Sequence, residues 1–590
     1  MSRYFILLLF CINPIISWAQ SQKISPDLRK FKADDKEVEF FLIFDQHDLS
    51  HIHPEASKKE KGRLVHQSLV QQAEITQEEV RIFLQQKQIP FHSFYLVNTI
   101  FIKSNLEIVE ALSKFDQVKK VIPHSKNIMK QFPVESYEHK GRSVPFVTWG
   151  LELIRADEVW KLGIKGQGVV VGGQDTGYDW SHPALKNGYR GWLEDFVDHR
   201  YNWFDAINEI NQLHQDSIIM ESNNPCGLQI RFPCDDDQIH SHGTHTMGTM
   251  VGYDPILDLH IGVAPEAKWI GVRNMERGYG TPYTYLAGFE WFLAPTDLDG
   301  NDPDPDLAPD VINNSWACPP MEGCYKENFY IIETAIENLR RAGIVVVVSA
   351  GNEGRAGCET IQNPPAIFES SFTVGSVDAN DSLSDFSSRG PVVIDSSFRI
   401  KPNVTAPGRG VLSSQQNGKY GFLSGTSMAG PHVAGVVALI ISANPDLKGR
   451  VELIESIIEK SAVTKTDANL CIPSSRGVSQ NALYGFGRID AYEAVMLALS
   501  STTFSEQKVT ISGIICSPNP VRERLFISWP AKARLNDLYI LDITGKNIMH
   551  RSIANELSLD LDVKEIPGGL YIIVAHGDSH YFSEKFIVQH

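Results

Sequence analysis

Gly425-Thr426-Ser427-Met428-Ala429-Gly430-Pro431-His432 runs directly into the apolar stretch Val433-Ala434-Gly435-Val436-Val437-Ala438-Leu439-Ile440. A glycine-flanked turn entering an apolar helix puts Ser427 in the first turn, beside unpaired backbone N–H groups and the positive end of the helix dipole. A hydroxyl there is set up for acyl transfer, because the same N–H groups stabilise a developing oxyanion. Pro431 is expected close enough to the helix start for its missing N–H to cost little. Taken alone, Gly-Thr-Ser is far more often a turn or a cap, so the partners decide.

Gly168-Val169-Val170-Val171-Gly172-Gly173-Gln174-Asp175-Thr176-Gly177 predicts a buried strand that delivers Asp175 at its C-terminal end, where catalysts collect in α/β sheets. His240-Ser241-His242-Gly243-Thr244-His245-Thr246-Met247-Gly248-Thr249 predicts a helix start with small residues around an imidazole, and His242 is the candidate base. Histidines at 240, 242 and 245 also suggest zinc, but no HExxH arrangement or fourth ligand accompanies them. His245 therefore reads as structural and His240 as loop. Val345-Val346-Val347-Val348-Ser349-Ala350-Gly351-Asn352-Glu353-Gly354 is a further buried strand, ending in an amide side chain that can donate to an oxyanion.

In the order Asp, His, Asn, Ser these segments resemble the subtilisin-like serine peptidases. The resemblance implies an α/β fold, a three-layer domain with a mainly parallel sheet over about residues 149–500. It also implies a triad of Asp175, His242 and Ser427, with Asn352 completing the oxyanion hole. Asp310-Val311-Ile312-Asn313-Asn314-Ser315-Trp316-Ala317 is similar to the family's strand that pairs with an extended substrate backbone. The first specificity pocket is then expected between Ser315, Trp316, Ala317 and Ser349, Ala350, Gly351, with further wall around Gln362 to Pro365. Trp291-Phe292-Leu293-Ala294-Pro295, the Asp-rich loop to Asp306, Cys318, Cys324 and Gly357-Cys358 look like the bacillopeptidase F branch. No cofactor is required by such a mechanism. Calcium is common in the family, and Asp297, Asp299, Asn301, Asp302, Asp304 and Asp306 offer oxygen ligands without EF-hand spacing; a solvated turn is the plainer reading.

The chain's 590 residues, 42% of them hydrophobic, are enough for several domains. A net charge of −17 without any basic run argues against a nucleic-acid partner. Arg3, the apolar run Tyr4 to Ile16 and Ser17-Trp18-Ala19 have the three-part pattern of a secretory signal over 1–19. No other stretch is long enough to span a membrane, so none is expected in the mature protein. Residues 20–140 predict strands at Val38 to Phe44, Phe91 to Lys103 and Val118 to Pro123, with helices at Lys61 to Gln88 and Asn105 to Phe115: a ferredoxin-like βαββαβ order. Before a subtilisin-like domain this resembles the inhibitory propeptide, an intramolecular partner cut off between Gln131 and Thr148; a permanent accessory domain is the alternative.

Of eight cysteines, Cys11 goes with the signal and Cys516 stands beyond the catalytic region. Short separations favour Cys226 with Cys234 and Cys318 with Cys324, leaving Cys358 for Cys471 among fifteen possible pairings. Residues 507–590 predict short alternating strands, a small β-sandwich. With Ser517-Pro518-Asn519-Pro520-Val521, Asp542-Ile543-Thr544-Gly545-Lys546 and Pro567-Gly568-Gly569-Leu570-Tyr571 this tail resembles the type IX secretion sorting domain of Bacteroidetes, with a carbohydrate-binding or adhesion sandwich as the alternative. The reading is of a secreted or surface-held serine endopeptidase acting on proteins or peptides and exported by the type IX machinery of a Gram-negative cell. A catalytically silent surface-binding protein and an exopeptidase of the same family are the rivals.

Overall fold

The computed structural model describes residues 23–30, 37–124, 147–211, 213–214, 220–465, 471, 480–505, 515–529, 535–542, 547–553, 556, 558–576 and 581–589. The expected signal and residues 131–146 of the expected processing region lie outside them. Two compact units result, Met1–Thr502 and Thr503–His590.

The first unit begins with β1 (Val38–Ile43), α1 (Lys58–Gln86), β2 (Phe91–Phe94), β3 (Thr99–Ser104), α2 (Leu106–Leu112) and β4 (Lys120–Pro123), paired antiparallel in the order β2-β3-β1-β4. This is the expected ferredoxin-like arrangement. Ser57 and Asn105 cap the two helices by accepting the amides of Glu60 and Ile108. α1 starts three residues before the expected Lys61, at the residue after its Ser57 cap.

A seven-stranded, all-parallel sheet follows, built from β5 (Val170–Asp175), β6 (Trp203–Asp205), β7 (Lys268–Arg273), β8 (Val311–Asn314), β9 (Val345–Ser349), β10 (Phe372–Val377) and β11 (Val404–Pro407). Its order is β11-β10-β9-β8-β5-β7-β6. The chain builds toward β6 on one side of β5 and then crosses to β8 on the other, so the C-terminal end of β5 is a topological switch point, where α/β proteins place their chemistry.

Alternation sorts the strand side chains into two cores. Val171, Val311, Val345 and Val347 face the core that holds α3 (His242–Val251) and the long apolar helix Thr426–Ala443. Ile270, Val272, Ile312, Val346 and Val348 face α4 (Pro282–Leu293) and α5 (Phe329–Arg341). Strands buried on both faces read as unbroken apolar runs, as Val345 to Val348 does. Contrary to the expectation that no other stretch is long enough, the helix Thr426–Ala443 is long and apolar enough to cross a membrane; it is buried inside this domain, which accounts for its lack of a polar face. Disulfides join Cys226 to Cys234, Cys318 to Cys324 and Cys358 to Cys471.

The second unit, taken by itself, has a three-stranded and a four-stranded antiparallel sheet around one core containing Leu525, Ile527, Leu538, Ile540, Ile573 and Phe586. The expected strands are present, and Ile515–Ser517 and Asn547–Ser552 join them. Residues 543–546 of the expected hairpin lie outside the described ones, though Asp537–Asp542 and Asn547–Ser552 pair antiparallel across them.

Gly177, two residues past Asp175, has φ +106°, and a methyl group there would overlap the carbonyl oxygen of Cys234. Gly177→Ala is expected to lower stability by more than about 1 kcal/mol from backbone conformation alone, with the overlap adding to it. A denaturant midpoint unchanged from wild type would contradict this.

Candidate active site

Asp175 ends β5 and is 1% exposed, and His242 is the first residue of α3. His242 Nδ1 lies 2.7 Å from Asp175 Oδ1. A carboxylate can only accept, so Nδ1 carries a hydrogen and Nε2 is the nitrogen turned to other work. Asp175 is itself held by Thr176 N at 2.8 Å and Thr246 Oγ1 at 3.3 Å.

α3 has no cap of its own. Ser241 at its N-cap position is left-handed, φ +53°, and makes no capping bond. The first three amides are instead satisfied from outside: His242 N by Asp237 Oδ2 at 3.3 Å, Gly243 N by Thr176 Oγ1 at 3.0 Å, and Thr244 N by Asp235 Oδ2 at 3.0 Å. Asp235 also accepts Thr244 Oγ1 at 2.6 Å and Thr176 Oγ1 at 2.8 Å. It therefore ties the histidine helix to the residue that follows the aspartate. Burial pushes the Asp235 carboxyl up to about 8, against the hydrogen bonds of Thr244 and Thr176. Sequence reading missed this residue. Its signal was the run Asp235-Asp236-Asp237 just ahead of the histidine and next to Cys234.

Ser427 is the second residue of the helix Thr426–Ala443, so its N–H has no partner one turn back. Asn352 lies on the loop after β9; its Oδ1 accepts Thr426 N at 2.9 Å and Thr426 Oγ1 at 3.2 Å. Those bonds use the amide oxygen, so Nδ2 is the end free to donate. The Ser427 hydroxyl donates to the carbonyl oxygen of Ser315 at 3.2 Å. Among the described residues no hydrogen bond joins it to His242. A serine hydroxyl changes partner by rotating about one bond between staggered positions.

Pro431 departs from expectation. It is the sixth residue of the helix, past the first turn, and its missing N–H leaves the Ser427 carbonyl without the usual acceptor role. Ser315 Oγ fills that place, donating to Ser427 O at 2.7 Å, while Asn313 Nδ2 donates to Ser315 Oγ at 2.9 Å. The proline thus links the serine helix to the end of β8.

The substrate strand is also narrower than expected. Val311 to Asn313 pair on both sides within the sheet and Asn314 on one, so Ser315, Trp316 and Ala317 run on past the end of the strand. The Trp316 ring is buried, stacked on Tyr285 with centroids 3.8 Å apart. Ser349 and Ala350 are buried at the end of β9, and Gly351 turns the chain with φ +102°. His245 is buried, its Nε2 between the carbonyls of Val411 and Gly421, and burial drives it down to about 3. In the acidic loop Asp297 accepts the amides of Asp299 and Asn301, Asp304 accepts that of Asp306, and Asp299 and Asp306 pair with Arg231 and Arg63. Among the described residues no group of three or more His, Cys, Asp or Glu gathers as metal ligands.

Comparison with known proteins agrees with this geometry. Residues 166–487 match the subtilase family, and residues 517–589 match a secretion system C-terminal sorting domain. The chain belongs to the subtilase family. It is 35% identical to bacillopeptidase F of Bacillus subtilis over 72% of its own length, but spans only 27% of that protein. It is 32% identical to the major intracellular serine protease of Bacillus subtilis, covering 54% of this chain and 82% of the relative. Among solved structures the epidermin leader peptide processing serine protease of Staphylococcus aureus superposes with a TM-score of 0.52 at 17% identity, over 78% of this chain and 99% of the other. That last likeness is one of fold.

Burial disfavours protonation of His242, but Asp175, with Asp237 and Asp235 behind it, outweighs burial and raises the ring to about 9. A general base must be unprotonated, so kcat/KM is expected to climb with pH through an ionisation well above the ordinary histidine value. A profile already flat above pH 7 would contradict it. Asp235→Ala is expected to lower stability by about 1–2 kcal/mol, the usual cost of a lost helix cap, and to reduce kcat more than it changes KM. Unaltered kcat in the folded variant would remove Asp235 from a positioning role.

Proposed function

We propose that the protein is an endopeptidase whose triad is Asp175, His242 and Ser427, with Asn352 Nδ2 and Ser427 N as the oxyanion donors. The observation that supports the reading is the 2.7 Å Asp175–His242 contact at the C-terminal end of β5, together with the tie of Asn352, from the loop after β9, to the start of the Ser427 helix through Thr426; that helix shares a core with α3. Ser427 Oγ attacks the scissile carbonyl, His242 Nε2 takes the proton and passes it to the leaving amine, and Asp175 holds the imidazolium. Ser315, Trp316, Ala317 and Ser349, Ala350, Gly351 frame the first side-chain pocket.

The N-terminal ferredoxin-like unit reads as the inhibitor. Phe41, Phe94, Leu96 and Ile122 share a core with α4 and α5 of the catalytic domain, and Glu290 of α4 accepts the Leu96 amide at 2.8 Å. The last described residues of the unit are held by the catalytic domain: Tyr325 donates to the Pro123 carbonyl, and His124 Nε2 accepts the Tyr283 amide at 3.4 Å. The C-terminal unit reads as an export tag, removed on a route to the medium or the cell surface.

Ser427→Ala is expected to lower turnover by about 10⁶, and Asn352→Ala by about 10²–10³, magnitudes measured on subtilisin. A fluorophosphonate probe is expected to label Ser427 in the processed protein and nothing in the variant, read by peptide mass spectrometry. A folded, processed protein without label would favour a silent scaffold. Cleavage of a peptide blocked at both ends separates endopeptidase from exopeptidase, which needs a free terminus.

A further inference from the structure

α1 is longer than the sheet it belongs to. Its 29 residues span about 43 Å at 1.5 Å per residue. Val80 and Leu84, in its second half, are buried with β1 and β3 in the N-terminal unit's own core. Val65 and Leu69, in its first half, are buried instead in the core built by α4 and α5, and this half packs against α5 and the Pro305–Leu307 turn. The overhang carries Lys58, Lys61 and Arg63 to the N-terminal ends of the parallel strands, opposite the end that holds Asp175 and Ser427, with the exposed Lys59 beside Arg63 on Asp306 at 3.5 Å.

Each finds a built partner there. Lys58 Nζ donates to the Ala308 carbonyl at 2.7 Å and to Asp310 Oδ1 at 2.8 Å, with the two side chains 11% and 1% exposed. The other Asp310 oxygen takes Lys448 at 3.1 Å and Val170 N at 2.9 Å. Lys61 Nζ donates to the Gly449 carbonyl at 2.8 Å, and Arg63 pairs with Asp306. From the catalytic side, Arg450 donates to the carbonyls of Pro54 and Glu55 and pairs with the Glu55 carboxylate at 2.7 Å. Gly449 lets the backbones approach: its φ is +83°, and a methyl there would stand 2.9 Å from Lys58 Cβ.

We propose that Asp306, Ala308, Asp310 and Gly449 form an exosite for the helical turn Lys58-x-x-Lys61-x-Arg63, separate from the substrate cleft, which keeps the N-terminal unit on the enzyme after the connecting chain is cut. The proposal rests on the reading of that unit as an inhibitor. An inhibitor anchored only in the cleft is lost once the protease trims what lies in the cleft. Contacts at the far end of the sheet are out of reach of Ser427 and survive trimming, so cleavage and release become separate events and inhibition outlasts the cut.

The test follows the full chain as it processes, recording by mass the cleavage of the connecting chain, the fragment that co-purifies, and the lag before a blocked peptide is hydrolysed. Lys58→Ala/Lys61→Ala is expected to shorten the lag at least tenfold and to abolish co-purification, with kcat/KM after full release equal to wild type. Arg63→Ala, an exposed change that spares folding, is run beside it and is expected to shorten the lag two- to threefold. A lag equal to wild type in the folded variants, with the fragment still bound, overturns the exosite alone. Active enzyme whose mass still includes residues 23–124 in one chain with the catalytic domain overturns the inhibitor reading itself.

Discussion

The 2.7 Å contact between Asp175 and His242 depends on where a helix begins. His242 is the first residue of α3, so its ring direction is set by the least constrained turn of the helix. That turn is fixed because Asp237, Thr176 and Asp235 each take one of its free amides. Thr176 is the residue after Asp175, and Asp235 bonds both Thr176 and Thr244. Aspartate, helix start and cap are therefore one connected unit, placed at the switch point of the sheet. The carboxylates that fix the geometry also favour the imidazolium, so the same residues that position the ring stabilise it as it takes the proton.

The proposed nucleophile, Ser427, is bound to the sheet by a different device. A proline inside its helix frees the Ser427 carbonyl, and the Ser315 hydroxyl takes it. Ser315 lies just past the end of β8, so one side chain couples the serine helix to the strand end where the proposed substrate backbone would lie. Asn352 is coupled to the same helix through Thr426. The four proposed groups come from segments spread between residues 175 and 427.

Much of this was legible in the residues. The run Val345 to Val348 could only be a strand covered on both faces, and the βαββαβ order of the N-terminal unit followed from alternation and helical periodicity. The placing of Asp175, His242, Asn352 and Ser427 at element boundaries was legible because each boundary is marked by glycine or small residues. What was not legible depends on tertiary placement. Asp235 looks like any member of an acidic run, and its role appears only when the Cys226–Cys234 loop lays it against α3. The position of Pro431 was misjudged because its cost is met by Ser315, more than a hundred residues earlier in the chain. That Val311 to Asn313 are paired on both sides, and Asn314 on one, is a property of the sheet and not of the Asp310 to Ala317 segment. The overhang of α1 is likewise invisible in its sequence, since Val65, Leu69, Val80 and Leu84 form one continuous apolar stripe shared by two cores.

The most direct test is a crystal structure of the processed protein after reaction with a peptidyl phosphonate. The expected result is phosphorus bonded to Ser427 Oγ, with the phosphonyl oxygen about 3 Å from both Asn352 Nδ2 and Ser427 N and His242 Nε2 turned to the serine oxygen. An adduct on another residue, or one whose oxygen faces solvent away from Asn352, would contradict the assignment of the site.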